Sequence, residues 1–272
     1  NAHGDNDLTL GGHSEHVHCV AFSSDGRQLA SGAEAIILRD AQTGDAKFRL
    51  RGHMASVAEL SFSPNGTRLA SASDDNTVRL WNTETGEEVA VLKGHTGDVT
   101  GVATSPDGNR LVSSSRDGTI KLWDAQAQEE TATLRGHRGL VYCVVFSPDG
   151  SCLASASSDN TVKLWNAETG TEIRTFTGHT GLVRTVAFDQ AGTRLVSGGY
   201  DTKIRVRDVA SGKQIATAHA SSGAVFGVAF SPDGKRFAAC GTNESVQLIE
   251  TLSGQEIMTL FPGKAGVESV TF

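Results

Sequence analysis

The chain has 272 residues, 38% hydrophobic and 20% charged, and its 24 Lys+Arg against 31 Asp+Glu leave a formal charge of −7. That length buries a full core, while the acidic balance excludes the clustered Lys and Arg of a nucleic-acid footprint and disfavours anionic membrane surfaces. No apolar run approaches the roughly 18 residues of a spanning helix, and no basic segment followed by a hydrophobic stretch opens the chain, so neither a membrane anchor nor a secretory leader is expected.

Taken in chain order, the predicted elements repeat. Apolar first strands are expected near 17–22, 57–62, 99–104, 141–146, 183–188, 225–230 and 267–272, most of them with the pattern Val-x-x-Val-x-Phe. After four of them comes a Ser-Pro-Asp/Asn-Gly turn: Ser63–Gly66, Ser105–Gly108, Ser147–Gly150 and Ser231–Gly234. Pro pre-sets φ at its second position and Gly takes the left-handed one. A second apolar run follows, as in Cys152–Ala156, and then an alternating strand such as Thr161–Trp165, which buries one face. A Thr-Gly turn leads to a more polar edge strand, Thr171–Phe176.

Three markers share this register. Arg39-Asp40, Trp81-Asn82, Trp123-Asp124, Trp165-Asn166, Arg207-Asp208 and Ile249-Glu250 are each 42 residues apart. Gly44, Gly86, Gln128, Gly170, Gly212 and Gly254 keep the same step, and Gly-His pairs precede the first strands at His13, His53, His95, His137 and His179. Self-similarity at such a period marks a repeat architecture of short antiparallel strands, four per period, without helices.

On these Gly-His, Ser-x-x-x-Asp and Trp-Asp/Asn markers the chain resembles the WD-repeat β-propeller family across essentially its whole length. The resemblance implies an all-β single domain over 1–272, with blades of four-stranded sheet set radially around a channel. Seven first strands imply a seven-bladed propeller whose seventh blade is incomplete in the sequence given, with a six-bladed ring as the alternative. Leu8-Thr-Leu10 reads as a fourth strand that shares this blade with residues 267–272.

In the family, His, Ser, Asp and Trp at these separations form a buried hydrogen-bond chain. The matching sets are His53, Ser71, Asp75, Trp81; His95, Ser113, Asp117, Trp123; and His137, Ser155, Asp159, Trp165. A Ser-His-Asp set also suggests a nucleophilic triad, but a catalytic set occurs once and this one occurs three times intact. The first and fifth repeats put Arg39 and Arg207 in the Trp slot, and the first lacks two residues in the turn that carries the Asp. The sixth has Ser221, Ala239, Asn243 and Ile249 in the four slots, so blades one, five and six are expected to be the weaker ones. Substituting Arg207 is accordingly expected to cost little.

No phosphate loop, unique nucleophile or metal-ligand spacing appears, so no catalytic residue, cofactor or metal is expected. His13, His16 and His18 lie close in sequence without an accompanying carboxylate or thiolate set. Cys19, Cys143, Cys152 and Cys240 form no C-x-x-C and read as small buried hydrophobes of a reducing, cytoplasmic compartment. The resemblance implies a non-catalytic scaffold for a protein or peptide. Alternatives are a sensory or recruiting module of a larger signalling kinase or ATPase, and an enzyme with a site in the channel. Partners in the family dock beside the turn Asp and near the start of the first strand. Those slots hold Arg116, Leu140, Tyr142, Leu182, Arg184, Tyr200 and Phe226, an apolar and aromatic patch with Arg, as in interface hot spots. Arg184 or Arg116 is expected to pair with an acidic group of the partner.

Overall fold

The computed structural model describes residues 10–220, 223–242, 245–260 and 266–272. Among them there is no helix, and 24 strands form six four-stranded antiparallel sheets, each ordered as in sequence. The innermost strands are Cys19–Phe22, Val57–Phe62, Val99–Thr104, Val141–Phe146, Val183–Phe188 and Val225–Phe230. Five coincide with expected boundaries, whereas that of blade 1 starts at Cys19 rather than at Val17.

Local chemistry explains why each period folds alike. In blade 4 Ser147 Oγ donates to Asp149 Oδ1, Cys152 N donates to Ser147 Oγ at 2.9 Å, and Gly150 sits at φ 72°. This closes the first hairpin. The residue after Trp165 closes the last one: Asn166 Oδ1 accepts from the amides of Glu168 at 2.9 Å and Thr169 at 2.8 Å. Short polar side chains that bond the backbone two or three residues on favour such turns. One turn departs from the pattern. Thr202 holds φ 62° where other blades have Asn76, Asn160 or Gly118, and a β-branched residue is strained there. Thr202→Asn is expected to stabilise the fold by about 1 kcal/mol; an unchanged or lower denaturation midpoint would contradict that.

Alternation along the strands buries their apolar residues between successive blades. Leu60, Val102, Val144, Val186 and Val228 are all buried. Their counterpart in blade 1, Val20, is 45% exposed, as is Phe22 at 52%, so the flank of blade 1 is open. The expected seventh inner strand corrects the sequence reading. Residues 266–272 run beside blade 6, where Val267 N donates to Gly241 O at 2.9 Å as Val57 N donates to Ala33 O at 2.8 Å. They form no strand. An inner strand takes its ladder bonds from the second strand of its own blade, and no described residue supplies one. Among the described residues, six four-stranded blades and one segment without a partner strand therefore surround the channel. Most of Leu8–Leu10 lies outside the described residues. Of the cysteines, Cys19 and Cys240 are buried and Cys143 and Cys152 half-buried.

Candidate partner-binding site

The repeated His, Ser, Asp and Trp assemble into proton chains inside the blades. In blade 3 Trp123 Nε1 donates to Ser113 Oγ at 2.9 Å, and Ser113 Oγ lies 2.8 Å from His95 Nε2. His95 Nδ1 in turn lies 2.9 Å from Asp117 Oδ2. Because Ser113 accepts from Trp, its own proton goes to Nε2 and leaves Nδ1–H to donate to the carboxylate. Blades 2 and 4 repeat this: His53 with Asp75 at 2.8 Å, Ser71 with Trp81 at 2.8 Å, His137 with Asp159 at 2.8 Å, and Ser155 with Trp165 at 2.9 Å. Ser71, Ser113 and Ser155 have no exposed surface. A hydroxyl closed off from substrate and already accepting from indole is no nucleophile. The Gly of Gly-His has its own reason, since a β-carbon on Gly136 would stand 3.0 Å from the Trp165 ring.

Blades 1 and 5 keep more of the chain than the residue slots suggest. His179 Nδ1 meets Asp201 Oδ1 at 2.9 Å, and His179 Nε2 meets Ser197 Oγ at 3.0 Å. In blade 1, His13 Nε2 meets Ser31 Oγ at 2.8 Å, and Glu34 accepts from Ser14 N near the place of the missing Asp, but its Oε2 stays 3.5 Å from His13 Nδ1 and neither atom is hydrogen-bonded among the described residues. Arg39 and Arg207 fill the Trp slots as buried side chains, 7% and 6% exposed. Arg207 donates to Thr177 O and lies over the Phe176 ring at 5.6 Å. Its Nε is buried without a hydrogen-bond partner among the described residues, so the Trp slot of blade five is filled, but less completely satisfied than in blades 2 to 4. In blade 6 Ala239 and Ile249 are buried apolar residues, and Ser221 and Asn243 lie outside the described residues.

These networks give the fold a defined acid response. Burial lowers His53, His95 and His179 below the usual imidazole value, against the pull of their Asp partners. Burial alone would raise Asp75 and Asp117, but Thr hydroxyls, loop amides and the imidazoles hold both at about 2. A depressed imidazole binds fewer protons folded than unfolded, so stability falls as pH drops below about 6.5. The depressed carboxyls add a further loss as pH falls from about 4 toward their folded values. Melting temperatures across this range are expected to decline in that order; a rise between about pH 6.5 and 5 would contradict it.

The exposed chemistry lies at one mouth of the channel, and a repeated backbone defect builds it. In each of blades 2 to 6 one innermost-strand residue is skipped by the ladder: Ala58, Thr100, Tyr142, Arg184 and Phe226. A β-bulge re-aims its extra residue, and these five line a cavity of about 230 Å³ together with His18 and Glu268. The Arg184 guanidinium lies between two rings, 5.4 Å from the Tyr142 centroid and 5.6 Å from that of Phe226. Tyr200, 52% exposed, lies 6.0 Å from Phe226. Tyr142, Arg184, Tyr200 and Phe226 thus form one cluster.

Of the remaining expected contact residues, Arg116 and Leu140 stand apart from it. Arg116 is held by Asp98 at 3.1 Å. Leu140 is half-buried in a separate groove with Arg116 and Arg138. Leu182 is half-buried, and its carbonyl accepts from Tyr200 N at 2.9 Å. Asp74, on the same rim, is raised by burial and by Asp98. Sequence reasoning missed Glu59, which lines the same cavity in a slot held elsewhere by Cys19, Gly101, Cys143, Thr185 and Gly227. The signal was there, as the one acid in an otherwise small or neutral series.

Residues 98–272 match the family described as IFT122 first beta-propeller, and residues 4–37 and 44–82 match the WD domain, G-beta repeat. The chain belongs to the WD-repeat β-propeller family. It is 40% identical over 80 residues to WD repeat-containing protein 1 of Xenopus tropicalis, a stretch covering 28% of this chain and 13% of that protein. Protein tipD of Dictyostelium discoideum is 35% identical over 75 residues, 27% and 12% of the two chains. Protein HIRA of Zea mays is 36% identical over 93 residues, 27% and 10%. The matched stretch therefore spans about an eighth or less of each of these relatives.

Proposed function

We propose that this WD-repeat propeller is a non-catalytic scaffold that grips a protein or peptide segment at the bulge-lined channel mouth. The observation that carries this reading is the cluster on blades 4 to 6, where Arg184 is stacked between Tyr142 and Phe226 beside exposed Tyr200. Rigid aromatic groups around an Arg give large contact area at small entropic cost, the composition of interface hot spots. The repeated Ser-His-Asp sets support the same reading, because their hydroxyls are sealed inside the blades. Four free thiols support a reducing, cytoplasmic setting.

The test is capture of binding proteins on the immobilised chain, followed by affinity measurement with Tyr142→Ala, Arg184→Ala and Phe226→Ala. Each variant is expected to keep a near wild-type melting temperature and to lose about tenfold or more in affinity. Three folded variants that bind as wild type would place the surface elsewhere, and turnover of a small substrate by the pure chain would favour an enzyme.

A further inference from the structure

Glu59 is the feature that repeat symmetry does not account for. It pairs with Ala72 in the inner hairpin of blade 2, and its side chain lines the cavity beneath the mouth. Blade 3 leaves it room: a β-carbon on Gly101 would stand 3.5 Å from Glu59 Oε2. Among the described residues its carboxyl has no hydrogen-bond partner. Arg184 is the one fixed cation among the cavity-lining residues, and it faces Glu59 from blade 5. Its other acidic neighbour, Glu268, stands 3.9 Å away with 46% of its side chain exposed. That contact is too long for a hydrogen bond and well solvated, so Glu268 can give way.

We propose that the mouth takes an acidic side chain of its partner onto Arg184, and that this binding is linked to uptake of a proton by Glu59. The proposal rests on the scaffold reading above and names the chemistry its partner presents. A ligand carboxylate at Arg184 neutralises the charge that steadies ionised Glu59 and adds a like charge to the same cavity. The least costly relief is to protonate the half-buried carboxyl that no described protein group holds by a hydrogen bond.

The electrostatics agree. Burial raises Glu59 to about 7, with Arg184 pulling the other way. The other titratable groups facing the cavity are Cys19, Cys143, Tyr142, His18 and Glu268. Burial pushes the Cys143 thiol up to about 12 and the Cys19 thiol higher, so neither titrates near neutrality. The sign follows from linkage. A ligand that raises the carboxyl further binds best below about pH 7, and its affinity falls as pH rises above that, by up to about tenfold per pH unit.

The probe is fluorescent hexaglutamate, whose carboxylates are ionised at both about pH 6 and about pH 8. Wild-type protein is expected to bind it about tenfold more tightly at the lower pH. Glu59→Gln is expected to bind equally at both, with the wild-type low-pH affinity, while His18→Gln keeps the slope. Arg184→Ala is expected to lose binding with its melting temperature preserved. An unchanged slope in folded Glu59→Gln overturns the proton linkage and leaves the scaffold reading intact. Equal binding by Arg184→Ala overturns the site itself. Failure of hexaglutamate to bind, or preferential binding of hexalysine, overturns the acidic ligand.

Discussion

Trp123→Ala is expected to lower the unfolding free energy by about 3–5 kcal/mol, the range for deleting a fully buried indole. The ring is 2% exposed, packs in the core between blades 2 and 3, and donates the first bond of a chain ending at Asp117. Removing it leaves a cavity and takes a donor from Ser113. Asp117→Ala is expected to cost about 1–3 kcal/mol by a different route, because several donors, buried to different degrees, lose their acceptor at once. These are the His95 imidazole, the amides of Thr96 and Thr119, and the Thr119 hydroxyl. Urea denaturation of the two variants measures both effects. A loss below about 1 kcal/mol for Trp123→Ala would mean that the network is ornamental to the fold.

Arg207→Ala is the second sharp case, because slot counting and geometry disagree. A blade that has lost its Trp invites the expectation of a tolerant position. The guanidinium is instead buried over Phe176 and caps Thr177 O, next to the His179–Asp201 pair. Truncation leaves a cavity and an unsatisfied carbonyl but also removes a buried Nε that has no partner among the described residues, so a loss of about 1 kcal/mol is expected. Arg27, whose side chain is 86% exposed, provides the control, with no measurable change on the same substitution. Equal behaviour of the two arginine variants in denaturation would return blade 5 to the status of a weak blade.

The contrast shows what the sequence could and could not reveal. The period, five of the inner-strand boundaries and the three intact networks were legible because each depends on short-range signals: alternation, Ser-Pro-Asp-Gly turns and Asx-type closures within one hairpin. Substitutes were not legible. Glu34 comes near the place of the absent turn Asp from a loop two residues shorter, and no aligned slot announces it. Arg207 occupies a Trp cavity with different atoms and a different hydrogen bond. Residues 267–272 carry the pattern of an inner strand, yet a strand exists only when a second one pairs with it. The family resemblance named these positions, but not the bulges that aim Tyr142, Arg184 and Phe226 into one cluster. Bulges are register events between two strands, and a one-dimensional pattern does not contain them.

The most direct test of the account is hydrogen–deuterium exchange on the propeller, free and with a captured partner bound. The bulge-side loops around Leu140–Tyr142, Leu182–Arg184, Tyr200 and Ala224–Phe226 are predicted to slow their exchange on binding. Protection instead at Ser63–Gly66, Ser105–Gly108 and Ser147–Gly150, the turns at the other mouth of the channel, would contradict it.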